Sequence, residues 1–166
     1  TSPAEADLFS TDAQFVPASR NYARLWLANV TDIKFNTTYA VSIRALIDGE
    51  WTIWGEECNV TTPVIPSPSF YGAYCDIAVP NNYGAHLLYY DVYAGVDSYE
   101  LRFVNGANTH TTTSTTRAVQ LSNVSPALEE NTVYQMQIRS VADGEFGTWG
   151  PTCELYIGDL ELGEDI

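Results

Sequence analysis

The sequence predicts an all-β protein made of two β-sandwich modules in tandem, the first lacking its N-terminal strands. Residues 131–153 alternate polar and apolar side chains, reach Asp143-Gly144 and resume as a second strand, which is the pattern of a β-hairpin with one buried face. Residues 36–58 match this stretch position by position, with Tyr39 standing 95 positions before Tyr134. A strand-built repeat of this period indicates tandem sandwich modules.

The first repeat has fewer residues before its hairpin than the second repeat has. About 64 residues separate Phe70, near the start of the second module, from Tyr134, whereas only 38 residues precede Tyr39. Residues 22–30 match residues 116–124, so the deficit falls on the two opening strands. A sandwich without them exposes core surface and unpaired strand edges. We therefore expect sequence upstream in a parent protein, or a strand of another chain, to fill the gap.

The predicted domain organisation follows from the repeat and from a proline-rich break. A partial module occupies residues 1–62, a linker residues 63–69, a full module residues 70–157 and an acidic tail residues 158–166. The three prolines of the linker favour an extended, semi-rigid connection. Strands are expected at residues 37–46, 51–61, 71–79, 86–93, 99–104 and 109–121, besides the second hairpin.

Composition restricts the classes of partner. The chain has 7 Lys and Arg against 21 Asp and Glu, a net charge of -14, which disfavours nucleic acid and anionic lipid. Basic partners and divalent cations stay compatible with it, and a solvated acidic surface is the preferred interpretation. No apolar run approaches the ~20 residues of a membrane span, so direct membrane insertion is not expected. The absence of a leader pattern suggests a processed product or a segment of a longer protein.

The residues around the second hairpin resemble a known family. Leu121-Ser-Asn-Val124-Ser-Pro126, followed by alternating Thr132, Tyr134, Met136 and Ile138, looks like the end of strand E through strand F of a fibronectin type III module. The resemblance implies an immunoglobulin-like sandwich in which Tyr134 ties the E–F loop to strand F. The same pattern occurs one repeat earlier, without the proline, at Leu27, Val30, Thr37, Tyr39, Val41 and Ile43. Such sandwiches host many activities, so function does not follow from this fold.

A finer resemblance concerns residues 49–63. Gly-Glu-Trp-x-x-Trp-Gly, then Cys58 before Thr-Thr-Pro, is similar to modules of large exported surface proteins of Bacteroidetes, the gliding adhesins and substrates of type IX secretion. It implies an extracellular or cell-surface location and an adhesive or spacer role. The partners would be neighbouring modules or identical subunits, and the ligand a surface protein or a glycan.

The same resemblance implies a disulfide. Those modules place one cysteine near the first strand and another at the end of the last, which fits Cys75 and Cys153. Closing that loop would stabilise the fold by at most ~4.5 kcal/mol. Cys58 is then left unpaired, or paired outside the chain. Three reduced, buried thiols are the alternative.

Arginine and aromatic residues recur at matching positions of the two hairpins. They are Arg44, Trp51 and Trp54 in the first repeat and Arg139, Phe146 and Trp149 in the second. We expect them to stack as a ladder on the outer face through cation–π contacts, with a stiffening role favoured over binding. The spacing also resembles the Trp-Ser-x-Trp-Ser box of cytokine receptors. With the sequons at Asn29, Asn36, Asn59 and Asn123, it motivates a cytokine-receptor-like ectodomain as an alternative.

The acidic hairpin tips are the remaining binding candidates. Asp48 and Glu50, like Asp143 and Glu145, flank a glycine, and paired carboxylates could take Ca²⁺. An Asp-Gly pair is also what a tight hairpin turn requires, and this interpretation is preferred. No other cofactor is expected, and no metal site, because there is no C-x-x-C and His86 and His110 are isolated.

Catalysis is not expected, since no acid–base pair, nucleophile motif or phosphate loop is present. The second hypothesis is a filament subunit, in which a segment such as residues 154–166 of a neighbour completes the first sandwich. A carbohydrate ligand for Tyr83, Tyr89 and Tyr90 stays open.

Overall fold

A computed structural model describes residues 32–158. The chain divides by its contacts into Thr1–Lys34 and Phe35–Ile166, and all strands described here belong to the second unit. The strand candidates before residue 32, the sequon at Asn29 and the tail after residue 158 lie outside the described residues. The predicted domain boundaries stay predictions.

The larger sheet of the second repeat consists of the strands β5 Ile77–Val79, β7 Ser98–Asn105, β8 Asn108–Ser114, β10 Thr132–Ala142, β11 Glu145–Phe146 and β12 Cys153–Ile157. It is built on the long central strand β10. Its hydrogen-bonded order is β5-β12-β10-β7-β8, and the short strand β11 also pairs with β10. The strand β5 runs parallel to β12, while the other neighbours are antiparallel.

A second, smaller sheet faces the first. It pairs β6, Leu87–Tyr89, with β9, Ala118–Gln120, and an isolated bridge joins Phe70 to Tyr90 at its edge. The segment that opens the second module therefore starts at Phe70, beside the small sheet, and continues to β5, which pairs with β12 in the larger sheet. The alternation expected for Tyr134, Met136 and Ile138 is confirmed, since all three are at most 1% exposed. Their partners in the core include Leu88, Tyr90, Leu101, Phe103, Val119, Leu121, Leu155 and Ile157.

The predicted E–F corner is present. The hydroxyl of Tyr134 accepts a hydrogen bond of 2.8 Å from the backbone N–H of Glu129. This is the contact that the resemblance implied, and it fixes the loop that enters β10. The strand order, the facing small sheet and this corner together define a fibronectin type III-like sandwich.

The first repeat forms a hairpin that copies the second in register. Its strands are β1 Thr38–Val41, β2 Leu46–Ile47, β3 Glu50–Trp51 and β4 Cys58–Thr61. Tyr39 lies opposite Val60, as Tyr134 lies opposite Leu155 one repeat later. We call residues 38–61 the first hairpin and residues 132–157 the second hairpin.

The regular strands are shorter than the sequence predicts. The expected strand at 71–79 begins with a 3-10 turn, Gly72–Tyr74, and only Ile77–Val79 is extended. The Thr-rich strands expected at 109–121 are β8 and β9, which are separate because the chain leaves the larger sheet after Ser114, whose hydroxyl donates to the carbonyl of Ala118 at 3.0 Å. In the first hairpin, residues 42–45 and 52–57 do not form regular strands.

Candidate functional site: the arginine–aromatic ladders and the exposed face of the first hairpin

The outer face of the second hairpin carries a stack of alternating guanidinium and aromatic groups. The Cζ atom of Arg139 lies 3.8 Å from the ring centroid of Phe146 and 4.4 Å from that of Trp149. A second arginine, Arg102, covers Trp149 at 4.2 Å. All these distances are within the range of cation–π attraction. The order of the stack is therefore Phe146, Arg139, Trp149 and Arg102.

Neighbouring strands hold both guanidinium groups in place. Arg139 forms a salt bridge of 2.5 Å with Glu100 on β7. Arg102 donates two hydrogen bonds, of 2.6 and 3.1 Å, to the side-chain oxygen of Gln137. The amide nitrogen of Gln137 in turn donates to the carbonyl of Gly150 at 3.0 Å. The stack is thereby tied to three strands and to the loop that precedes β12.

The first hairpin repeats the stack on a smaller scale. The Cζ atom of Arg44 lies 4.5 Å from the ring centroid of Trp51 and 4.6 Å from that of Trp54. The six residues that the sequence assigns to the ladders therefore do come together, three in each repeat. Trp51 keeps 40% of its surface exposed, so this ladder presents an aromatic surface to solvent.

Sequence reasoning missed Arg102, Glu100 and Gln137. The available signal was alternation on the neighbouring strand, because Tyr99, Leu101 and Phe103 point inward and residues 100 and 102 must then face outward. What the repeat could not show is that this strand lies beside the hairpin. That neighbour relation comes from the sheet order.

The acidic tips are tight turns. Asp48 and Gly49 have φ angles of 50° and 87°, and Asp143 and Gly144 of 52° and 77°. Positive φ at both central residues is the geometry of the two-residue hairpin turn that favours Asp-Gly. Within residues 32–158, no group of three or more His, Cys, Asp or Glu side chains is arranged to hold a metal ion. Calcium at the tips stays an untested expectation.

A shallow surface depression of about 310 Å³ lies beside β5 and β12. It contains two carboxylates, and that of Asp76 accepts a hydrogen bond of 2.8 Å from the backbone N–H of Glu154. This carboxylate thus has a structural role in joining the two strands. The lining residues are Asp76, Ile77, Ala78, Val133, Glu154 and Tyr156.

The cysteines occupy the positions that the resemblance implied. Cys75 and Cys153 form a disulfide with a Cα–Cα distance of 5.0 Å, and Cys58 is an exposed free thiol. The disulfide joins the residue after the 3-10 turn of the opening segment to the first residue of β12. It therefore closes one end of the second sandwich.

Neither histidine lies in a catalytic arrangement with the described residues. His110 is 4% exposed, and its Nδ1 lies 2.8 Å from the carbonyl oxygen of Pro126. Burial lowers the pKa of His86 below its usual value. The interpretation of Tyr90 as a loop aromatic for glycan binding is wrong, because it is fully buried and its hydroxyl bonds the carbonyl of Thr116. Tyr89 packs against Tyr74.

The two hairpins differ in the exposure of their apolar faces. Ile43 is 71% exposed, whereas its counterpart Ile138 is 0% exposed. Ile47 is 58% exposed, against 2% for its counterpart Ala142. Cys58 is exposed, while Cys153 is buried. We call the surface formed by Ile43, Ile47 and Cys58 the open face.

Comparison with known proteins finds similar chains among solved structures. A structure of the FN1–FN3 domains of chicken CNTN1 is similar to 77% of this chain at 12% identity, with a TM-score of 0.43. The chain spans 45% of the length of that structure. The fold is fibronectin type III-like. The strand order and the E–F corner described above define this fold. No family model matches the chain, and no curated protein is detectably similar to it.

Proposed function

We propose that this chain is a non-catalytic module of an exported surface protein, with a spacer or adhesive role outside the cell. The observation that carries the proposal is the construction of the second sandwich, which is closed by a disulfide and stiffened by a four-group ladder. Disulfides persist in oxidising compartments, which supports an extracellular location. Among the described residues, no helix has the length and apolar character needed to cross a membrane.

The linker between the repeats supports a spacer. The hydroxyl of Ser67 donates to the carbonyl of Thr148 at 3.3 Å, and the backbone N–H of Asn36 donates to the carbonyl of Pro63 at 2.8 Å. Pro68 is buried against the strand connection at Gly150. A linker held along its length transmits load with little hinge motion.

The acidic surface and the resemblance of residues 49–63 support the finer proposal, a module of the kind found in gliding adhesins and type IX secretion substrates. The net charge of -14 keeps such a surface solvated and disfavours nucleic acid. The ligand class for an adhesive role would be a surface protein or a glycan.

Single-molecule stretching of the intact chain tests the spacer role. With the disulfide closed, the residues between Cys75 and Cys153 cannot extend. Reduction should then add about 27 nm of contour length, at ~3.5 Å per residue over a sequence separation of 78. Unfolding only at measurable force supports the spacer, and extension without a force peak in the oxidised chain contradicts it. A glycan array, with the Trp51→Ala, Trp54→Ala double variant as control, tests adhesion.

A filament subunit is the second candidate, because the open face offers apolar surface to a strand of a neighbour. The donor segment predicted from the sequence, residues 154–166 of a neighbour, needs correction. Its first residues belong to Cys153–Ile157, which already pairs with β10 and β5 in its own module. Light scattering over a concentration series would support this candidate by showing large assemblies, and a monodisperse monomer would exclude it. The cytokine-receptor-like alternative gains no support from the ladder, which occurs in both repeats.

A further inference from the structure

We propose that two side-chain contacts lock the first hairpin and the second module in one orientation. They are the contacts of Phe35 with Gly95 and of Ile65 with Gly147, and we call these four residues the joint. The functional meaning of the joint rests on the spacer role proposed above, because a spacer that bends freely transmits no direction. The prolines of the linker favour an extended chain, whereas the joint adds packing of side chains against the second module. Two contacts and two differences between the repeats support it.

The first contact joins Phe35 to a loop of the second module. A Cβ atom at Gly95, in the loop between β6 and β7, would lie 3.3 Å from Cε2 and 3.4 Å from Cζ of Phe35. The edge of the aromatic ring therefore packs against the backbone of this loop. Beside it, the N–H of Asn36 donates to the carbonyl of Pro63 at 2.8 Å. This hydrogen bond ties the segment that carries Phe35 to the start of the linker.

The second contact joins Ile65 to the connection that follows β11. A Cβ atom at Gly147 would lie 2.9 Å from Cγ2 of Ile65 and 3.4 Å from its carbonyl oxygen. The preceding residue, Val64, is 68% exposed, so the linker turns Ile65 and not Val64 toward the second module. The hydroxyl of Ser67 donates to the carbonyl of Thr148 at 3.3 Å, which holds the linker beside this contact.

The repeats differ at the position of Phe35. Asn36 and Asn131 have matching φ angles of 49° and 54°, which aligns the two repeats at this point. Phe35 therefore corresponds to Glu130, which is exposed. The chain enters its hairpin in the same way after either residue, so the hairpin does not require an aromatic residue here. The contact with Gly95 accounts for the phenylalanine.

The repeats also differ at the position of Gly147, which corresponds to Thr52. The N–H of Thr52 donates to the carbonyl of Ala45 at 2.8 Å. The N–H of Gly147 donates to the carbonyl of Ser140, at the equivalent position, at 2.9 Å. Because the backbone makes the same bond in both repeats, this position of the hairpin accepts a side chain. The glycine stands where Ile65 lies over the backbone.

These contacts change what is expected of two repeats joined by a short linker. Relative motion is the ordinary behaviour of neighbouring domains unless their interface restrains it. The joint supplies that restraint at two separate points of the second module, so the first hairpin and the second module keep one orientation.

Distances between spin labels test the joint in the intact chain. One label is attached to Cys58, an exposed free thiol of the first hairpin, and the other to a cysteine introduced by Thr109→Cys at an exposed position of β8. Double electron–electron resonance gives the distribution of distances between the labels. We expect one narrow distribution in this parent chain and, for Phe35→Glu, a distribution at least about twofold wider. Equal widths in the two chains would overturn the proposal.

A second set of variants tests the contact of Ile65 with Gly147. Ile65→Ala and Gly147→Ala should each widen the distribution. Gly147→Ala should add nothing once Ile65 is alanine, because that change removes the Cγ2 atom with which the new Cβ collides. Additive widening would contradict the contact. Phe35 and Ile65 lie outside the strands of both hairpins, so their replacement leaves the strands intact.

Pro63→Ala is the matched control, since Pro63 is exposed and alanine keeps the carbonyl that accepts from Asn36. It should leave the width unchanged. Widening by Pro63→Ala but not by Phe35→Glu or Ile65→Ala would assign the stiffness to the prolines and overturn the joint. The stretching experiment reports on the spacer role separately. A narrow distribution without a force peak contradicts the spacer and keeps the joint, whereas a broad distribution in the parent chain contradicts the joint whatever the stretching result.

Discussion

Replacing Gly150 with alanine tests the packing of the linker on the second sandwich. The added Cβ would lie 1.9 Å from the carbonyl oxygen of Pro68 and 3.2 Å from that of Ile138. Both obstacles are backbone atoms, and the N–H of Gly150 is held by a hydrogen bond of 2.7 Å to Ile138, so the clash can be relieved only by moving the chain. Overpacking of this kind costs about 1 to 3 kcal/mol. We expect the upper end, near 3 kcal/mol, because no side-chain rotation relieves it.

The first hairpin supplies a matched control in Gly55→Ala. Among residues 32–158, only the carbonyl oxygen of Ile43, at 3.1 Å, meets the new Cβ there, so the expected loss is below about 1 kcal/mol. Neither glycine has a φ in the left-handed range, and the change in unfolded-chain entropy is the same for both. Urea unfolding, followed by far-UV circular dichroism and tryptophan fluorescence, gives the two free energies. A loss below about 0.5 kcal/mol for Gly150→Ala, or equal losses at both positions, would refute the reasoning.

Further substitutions test individual contacts, each read from the urea-unfolding free energy. Ser140→Ala should be neutral or raise stability by up to ~1 kcal/mol, because its fully buried hydroxyl has no hydrogen-bond partner among the described residues; a clear loss of stability would contradict this. Tyr134→Phe should lower the free energy of unfolding by ~1 kcal/mol, because it removes the hydroxyl that accepts the hydrogen bond from the E–F loop. An unchanged free energy would show that this hydrogen bond does not stabilise the fold. The Cys75→Ser, Cys153→Ser double variant should lose about 2 to 4 kcal/mol, and wild type in reductant should match it. Burial lowers the pKa of His86, so the folded state favours the neutral ring. The contribution of His86 to the free energy of unfolding is therefore complete above pH 6.5, near the pKa of the ring in the unfolded chain. This contribution is lost as the pH falls toward the lower pKa of the ring in the folded protein. His86→Gln should flatten the stability profile between pH 7.5 and 5, and an unchanged slope would contradict this.

The register of both hairpins could be predicted from the sequence because side-chain alternation and Asp-Gly turns are local signals. Tyr39 and Tyr134, 95 positions apart, take equivalent places in their ladders. The turn geometry is likewise a property of the two residues involved. The all-β fold class follows from the same signals and is confirmed by the strands of residues 32–158.

What sequence could not show depends on distant parts of the chain. Arg102 joins the ladder only because β7 lies beside β10, with Arg102 opposite Gln137. Tyr90 resembles a loop aromatic by its neighbours in sequence, yet it is buried because the chain returns to the small sheet there. The requirement for glycine at Gly150 likewise comes from the linker, 82 positions earlier at Pro68.

The two hairpins show that strand register alone does not produce a core. They share backbone pairing, turn conformation and an arginine–aromatic stack, yet Ile43 is exposed where Ile138 is buried. Local hydrogen bonds and cation–π contacts each contribute about 0.5 to 1.5 kcal/mol net. These contributions compete with a backbone entropy cost of about 1 to 2 kcal/mol for every ordered residue. In the second module, packing against the facing sheet offsets this entropy cost. The first hairpin therefore depends on strands supplied from outside residues 32–62 for the same stability.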